Sequence, residues 1–183
     1  MSYATVGDLK AFLKISSTAE DTLLQSLLDE ASSIIDAYID RPSAAATSTT
    51  RTFTAEHDAD GALLMFDCDY AASITAVTHD GVALTAGDYF TEPRHAGPFW
   101  GLSLKAGHWR GEIAVTGYWA YTTNSNGTAD DLIVGTCRTI AAWLYRAKDN
   151  IGTAVQYDDG VTVLNMALPR GVLDRLAGRK RLI

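Results

Sequence analysis

The chain has 183 residues, 47% of them hydrophobic and 20% charged, with 15 basic against 22 acidic side chains and a net charge of −7. This length buries the core of one domain, or of one domain carrying a large insertion, and the acidic balance argues against coating nucleic acid or lying on an anionic membrane. The apolar runs fall short of the roughly 20 residues of a bilayer span, and Met1-Ser2-Tyr3-Ala4-Thr5 lacks the basic-then-apolar layout of a secretory signal, so the expectation is a soluble globular protein.

The first forty residues carry helical periodicity. Thr5 and Asp8 have capping-box spacing, with Leu9, Phe12 and Leu13 as a short apolar stripe. Thr18 and Asp21 repeat the spacing. Leu23, Leu24, Leu27, Leu28, Ala31, Ile34, Ile35, Tyr38 and Ile39 then recur at three- and four-residue steps, predicting a long amphipathic helix that ends at Arg41-Pro42. Ser43–Thr50 is composed of serine, threonine and alanine and reads as a linker with little to pack.

Between residues 51 and 122 the pattern changes to short β-type runs: 51–55, 63–66, 73–78, 82–84, 89–92, 101–105 and 112–119. Asp80-Gly81 between two of them predicts a tight hairpin, because both residues tolerate positive φ. In 112–119, Ile113, Val115, Gly117 and Trp119 alternate with Glu112, Ala114, Thr116 and Tyr118, the pattern of a half-buried strand.

Helical spacing returns at Ala129 and runs to about Asn150. Thr128 stands at its cap position and Asp130 and Asp131 in its first turn. Leu132, Ile133, Thr136, Cys137, Ile140, Ala141, Leu144 and Tyr145 form the inward stripe. Val155–Tyr157 and Val161–Leu164 flank Asp158-Asp159-Gly160 as a predicted hairpin. Pro169 and Gly178 bracket a last short helix with Val172, Leu173 and Leu176 as its apolar face. The fold class expected is α+β: helical segments 1–42 and 128–183, and a β-rich insertion 43–127 whose first residues, 43–50, are the linker. Charge is uneven along the chain. Residues 1–169 hold 10 basic and 21 acidic side chains, whereas 170–183 hold five basic and one acidic, so the tail is suited to a different neighbour from the body.

Motifs for catalysis are missing: the sequence has no Gly-x-Ser-x-Gly elbow, P-loop, dinucleotide fingerprint or His-Glu-x-x-His pair. No enzyme activity and no cofactor are expected. His57, His79, His95 and His108 lie near turn residues and read as solvated. Glu56, Asp58, Asp60 and Asp67, with Gly61 at the sixth position, match calcium-loop spacing loosely; the competing reading closes a hairpin between 51–55 and 63–66 at Asp60-Gly61. Trp100, Trp109, Trp119 and Trp143 suit either a sugar-binding platform or sheet packing. Gly97-Pro98-Phe99-Trp100-Gly101 suits contact with a neighbour. Cys68 and Cys137 are too few for a disulfide framework and are expected to remain reduced and semi-buried.

Val6-Gly7-Asp8-Leu9-Lys10-Ala11-Phe12-Leu13, Glu20-Asp21-Thr22-Leu23-Leu24 and Ile34–Arg41, in that order, resemble the head–tail connector (adaptor) proteins of long-tailed bacteriophages. The resemblance continues through Ile74–Val77, Asp80-Gly81, Leu84 and Tyr89, and again at Ile140, Trp143, Leu144 and Tyr145; residues 43–50 depart from it. It implies a virion structural protein at the neck, synthesised in the host cytoplasm. Such a protein forms a ring of about a dozen copies under the portal, extends the DNA channel and offers a platform to the next neck or tail protein. DNA would pass without sequence-specific binding, and no membrane would be involved. The resemblance maps portal contact onto Pro169, Arg170, Leu173, Leu176, Arg179, Lys180, Arg181, Leu182 and Ile183. By position, Val155, Tyr157, Asp158, Asp159, Val161 and Val163 are candidates for contacting the neighbouring subunit or lining the lumen. A stopper or tail-completion protein, or a small β-sheet ligand-binding module, are the alternatives weighed beside it.

Overall fold

The computed structural model describes residues 2–67, 69–148, 155–156, 162–163 and 170–180. In chain order these form α1 (Val6–Leu13), α2 (Asp21–Ile39), β1 (Thr49–Thr54), β2 (Ala59–Asp60), β3 (Leu63–Met65), β4 (Ala71–His79), β5 (Val82–Leu84), β6 (Tyr89–Glu92), β7 (Gly101–Leu104), β8 (Glu112–Trp119), α3 (Asp131–Ala147), β9 (Val155–Gln156), β10 (Thr162–Val163) and α4 (Arg170–Asp174), with a 3₁₀ turn at Ala177–Arg179. The fold is α+β, as the periodicities predict. The chain divides into two compact units: a helical one, Met1–Asp40 with Asp131–Ile183, and a β-rich one, Arg41–Asp130. No described helix is long and apolar enough to cross a membrane.

The helical unit starts with the expected capping box. The Asp8 amide donates to Thr5 Oγ1 at 3.1 Å and the Thr5 amide to Asp8 Oδ2 at 3.2 Å, occupying donors that an uncapped helix start leaves orphaned. The second expected box does not form. The Asp21 carboxylate takes the Lys10 ammonium at 2.8 Å instead, which ties α2 to α1, and Glu20 occupies the cap position without a side-chain capping bond. The helix ends at Ile39, just before the expected Arg41-Pro42 stop, because Asp40 turns left-handed (φ 58°) and returns its amide to the Asp36 carbonyl at 2.8 Å.

Leu24, Leu28, Ala31, Ile35 and Ile39 of α2 and Ile133, Cys137, Ile140 and Ala141 of α3 are buried, with Leu9 of α1. Three residues placed on the inward stripes are exposed: Phe12, Leu23 and Leu132. Leu23 and Leu132 each lie roughly 100° around the helix from a buried neighbour, Leu24 and Ile133, beyond the arc the packing covers. Arg138 nevertheless stacks on Phe12, with its guanidinium 4.9 Å from the ring centroid. The start of α3 also departs from expectation. The Thr128 hydroxyl bonds Asn126 Oδ1 at 2.8 Å, so it does not cap the helix, which begins at Asp131.

The β-rich unit holds two four-stranded antiparallel sheets, ordered β1-β8-β4-β5 and β2-β3-β7-β6. Their shared core contains Phe53, Leu64, Phe66, Val77, Leu102, Trp109, Ile113, Val115 and Trp119. Within it Phe53, Phe66 and Trp119 pack at centroid distances of 5.1–5.9 Å, the range of favourable aromatic pairs. The alternation in β8 is as predicted: Ile113, Val115, Gly117 and Trp119 are buried. Asp80 (φ 48°) and Gly81 (φ 77°) make the two-residue turn between β4 and β5.

Two expectations for this unit are corrected. Residues 43–50 are not an idle linker: Ser43 is buried, the Ala45 amide reaches the Gly127 carbonyl at 2.8 Å, and Thr49 and Thr50 already pair in β1. Nor does β1 pair with 63–66. It pairs with β8, and Gly61 (φ 62°) instead turns the short β2–β3 hairpin of the other sheet. The chain leaves β1 because the Thr54 carbonyl accepts the His57 and Asp58 amides at 3.1 and 2.9 Å, while the Thr54 amide donates to the Asp58 carboxylate at 2.8 Å.

Candidate interaction surfaces

The basic end of the chain has an apolar side and a charged side. In α4 and the turn after it, Val172 and Leu176 are buried, and the amides of Leu176 and Arg179 close back on Leu173 and Leu176 carbonyls at 2.8 and 2.9 Å. Leu176 is therefore a core residue of the helical unit. A short helix places every third or fourth residue on one side, and here that side is already covered by the chain itself. Arg175 and Lys180 are exposed and Leu173 and Arg179 half-buried. The Lys180 ammonium lies 5.5 Å from the centroid of the Tyr38 ring, which anchors the segment to α2. Pro169, Arg181, Leu182 and Ile183 lie outside the described residues, and of Arg170 only the backbone is described.

β9 and β10 pair antiparallel, Gln156 with Thr162 and Val155 with Val163, as expected of a hairpin. Tyr157, Asp158, Asp159 and Val161 lie outside the described residues, so the structure brings together only the two strand stubs.

The β-rich unit carries a surface that its sequence did not single out. An open groove of about 580 Å³ is lined by Phe90, Arg94 and Lys105 among others. Phe90 is exposed at the end of the β6 edge. The Arg94 guanidinium stands 4.1 Å and the Lys105 ammonium 4.7 Å from its ring centroid, so two cations share one aromatic ring. The signal was present in the pairing of β6 with β7, which sets Tyr89 opposite Leu104 and thereby brings Lys105 to Phe90. It was not legible without knowing that register. Beside the groove, the Asp88 carboxylate accepts the Thr85 hydroxyl and amide, each at 2.7 Å, and these bonds hold its pKa below the usual carboxylate range. Phe99, from the predicted contact loop, also lines the groove and is held by two backbone bonds to Ala71 at 2.7 and 2.8 Å; Trp100 is partly exposed.

The other candidate residues are dispersed. Among the described residues no three His, Cys, Asp or Glu side chains stand together to hold a metal ion. Of the calcium-loop residues, Asp58 is used to cap the end of β1, while Glu56, Asp60 and Asp67 are exposed. His79 is half-buried, correcting its reading as solvated: its ring packs edge-on against Trp109 at 5.2 Å and Nε2 accepts the Arg110 amide at 2.9 Å. Trp109 and Trp119 are core residues and do not form a platform. Cys137 is free and buried; Cys68 lies outside the described residues.

Residues 3–78 match the model of the family described as phage gp6-like head-tail connector protein. No curated protein matches the chain. In fold it is similar to a chain in the neck of an empty GTA particle computed with C6 symmetry (TM-score 0.60, 15% identity, covering 99% of this chain and 91% of that one). It is also similar to a chain in the neck of a native GTA particle computed with C12 symmetry (TM-score 0.57, 14% identity, 97% and 88%), and to one in the virion of a native gene transfer agent particle (TM-score 0.54, 14% identity, 99% and 91%). The resemblance read from Val6–Leu13, Glu20–Leu24 and Ile34–Arg41 is thus borne out: over residues 3–78 the chain carries the pattern of the phage gp6-like head-tail connector family.

Proposed function

We propose that this chain is a structural, non-enzymatic protein of a phage-type virion neck. Copies of it form a closed ring beneath the portal that extends the DNA channel and receives the next neck or tail protein. The observation that carries this reading is the connector-family match over α1, α2 and the first strands, joined to a fold shared across nearly the whole chain with chains from particle necks. The physical chemistry agrees with it. A net charge of −7 suits the wall of a channel, because negative walls repel phosphate and let DNA slide. The work asked of such a protein is interaction, and its polar and charged surfaces supply it.

In this reading the basic segment from Arg170 to Ile183 meets the portal through Arg175, Arg179, Lys180 and Arg181. A cationic segment ordering on an acidic surface gains both specificity and association rate. Val155, Val163 and the residues between them face the neighbouring subunit or the lumen. The ring interface is head-to-tail, which closes when the rotation per copy divides a full turn. The test is to label the protein in purified particles, locate it by electron microscopy and count copies by quantitative proteomics. A label at the neck with about a dozen copies supports the proposal. A label on the capsid surface or tail tip, or absence from particles, overturns it.

A further inference from the structure

We infer that the groove lined by Phe90, Arg94 and Lys105 receives the acidic segment Tyr157-Asp158-Asp159-Gly160 of a second copy of this chain. The inference rests on the ring reading above, because it requires copies side by side.

The electrostatics of the groove carry the argument. Residues 41–130 hold ten acidic and five basic side chains, yet two of those five cations line the groove and no acidic side chain does. Both cations stand at the Phe90 ring, at 4.1 and 4.7 Å from its centroid, so an anion entering the groove there is attracted by two positive charges. Neither nearby carboxylate lines the groove, although Glu92 is ion-paired with Arg94 from outside it. Glu92 accepts the Ser103 hydroxyl at 3.0 Å and stands 3.7 Å from Arg94 Nε, while Asp88 is bound to Thr85. A groove of about 580 Å³ falls within the range of roughly 300–1,000 Å³ that takes compact ligands. What it admits is an anionic group small enough to enter and apolar enough to rest on a phenyl ring.

The chain itself contains a segment of that chemistry. In sequence, Tyr157-Asp158-Asp159-Gly160 connects the paired strands β9 and β10 and sets two consecutive aspartates after a tyrosine. It belongs to the helical unit and the groove to the β-rich unit, so the contact joins two different surfaces of neighbouring copies. That is the head-to-tail type from which rings close.

The test uses the full chain. Unlabelled and ¹⁵N-labelled protein are mixed, joined by a zero-length carbodiimide that couples amines to carboxylates, and digested for mass spectrometry. The expected product links Lys105 to Asp158 or Asp159 in mixed-isotope pairs, is lost in Lys105→Gln, and diminishes as salt is raised. Links confined to single-isotope pairs, or Lys105 coupled only to other carboxylates, overturn the inference. Charge exchange supplies a second reading by sedimentation. Arg94→Glu with Lys105→Glu abolishes self-association, and mixing that variant with one carrying Asp158→Lys and Asp159→Lys restores it; lack of restoration overturns the contact. The milder Arg94→Gln with Lys105→Gln, checked by near-UV circular dichroism, separates lost association from lost folding. A protein found at the neck without this crosslink sinks the groove contact alone, whereas absence from the neck sinks the ring reading.

Discussion

The hydroxyl of Ser32 and the thiol of Cys137 stand 3.4 Å apart in the buried seam between α2 and α3, joining residues 105 positions apart in sequence. Ser32 also accepts the Tyr3 amide at 3.0 Å and donates to the Leu28 carbonyl at 2.8 Å, so one small polar side chain ties the amino-terminal strap, α2 and α3 together. Removing it leaves the buried Tyr3 amide without that acceptor. Ser32→Ala is expected to cost about 1–3 kcal/mol, seen as a lower urea midpoint at unchanged slope.

Burial pushes the Cys137 thiol above its ordinary pKa, and the Ser32 hydroxyl opposes this more weakly. A neutral thiol held in the folded state contributes nothing adverse below about pH 8.5. Above that range the unfolded chain releases the proton first, so stability falls as pH rises toward the folded pKa. In a Cys68→Ser background, a thiol reagent is expected to react with native protein far more slowly than with urea-unfolded protein. Equal rates would contradict the burial.

The Asp8 carboxylate is held below the usual range by the Thr5 hydroxyl and then by the Thr5 amide. The sign is opposite to that of the thiol. This cap contributes above the ordinary aspartate range, near pH 4, and is lost as pH falls through the depressed folded value. Thr5→Ala is expected to cost about 1 kcal/mol at neutral pH. The wild-type advantage over that variant should shrink in acid, measured as the difference in melting temperature between pH 7 and pH 3.

Gly117 lies in the middle of β8, between β1 and β4, beside the register shift at Ile74 and Ala76. A Cβ there would collide with the Ser73 carbonyl oxygen, which is backbone and has nowhere to move. Gly117→Ala is expected to destabilise the β-rich unit by about 1–3 kcal/mol or more. Loss of the Trp119 fluorescence signal at lower denaturant would report it, and an unchanged midpoint would show that the two strands part easily.

Deleting 179–183 removes Arg179 and Lys180, neither of them buried, together with the last three residues, but keeps Val172 and Leu176. The expected result is a melting temperature close to that of the full chain and failure to attach to portal-bearing particles. Normal particle assembly by the truncated protein would contradict the assignment of the tail to the portal.

Much of the local structure could be read from residue types alone. The Thr5–Asp8 box, the Asp80-Gly81 turn, the alternation of 112–119 and the spacing of Leu24, Leu28, Ala31, Ile35 and Ile39 are short-range patterns, fixed by the φ preferences and periodicities of the chain itself. The connector resemblance was legible for the same reason, since it is carried by such patterns in sequence order.

Choices between distant partners belonged to the tertiary structure. Asp21 had equal claim to Thr18 and to Lys10, and the packing of α1 on α2 decided for Lys10. β1 had equal claim to 63–66 and to β8, and the turn bound by Asp58 sent the intervening chain into the other sheet. Leu176 and Leu132 are equally apolar in sequence, yet one is buried and the other exposed, because burial depends on which surface a second element covers. The meeting of Phe90, Arg94 and Lys105 needs the β6–β7 register, which long-range pairing sets and no local spacing encodes.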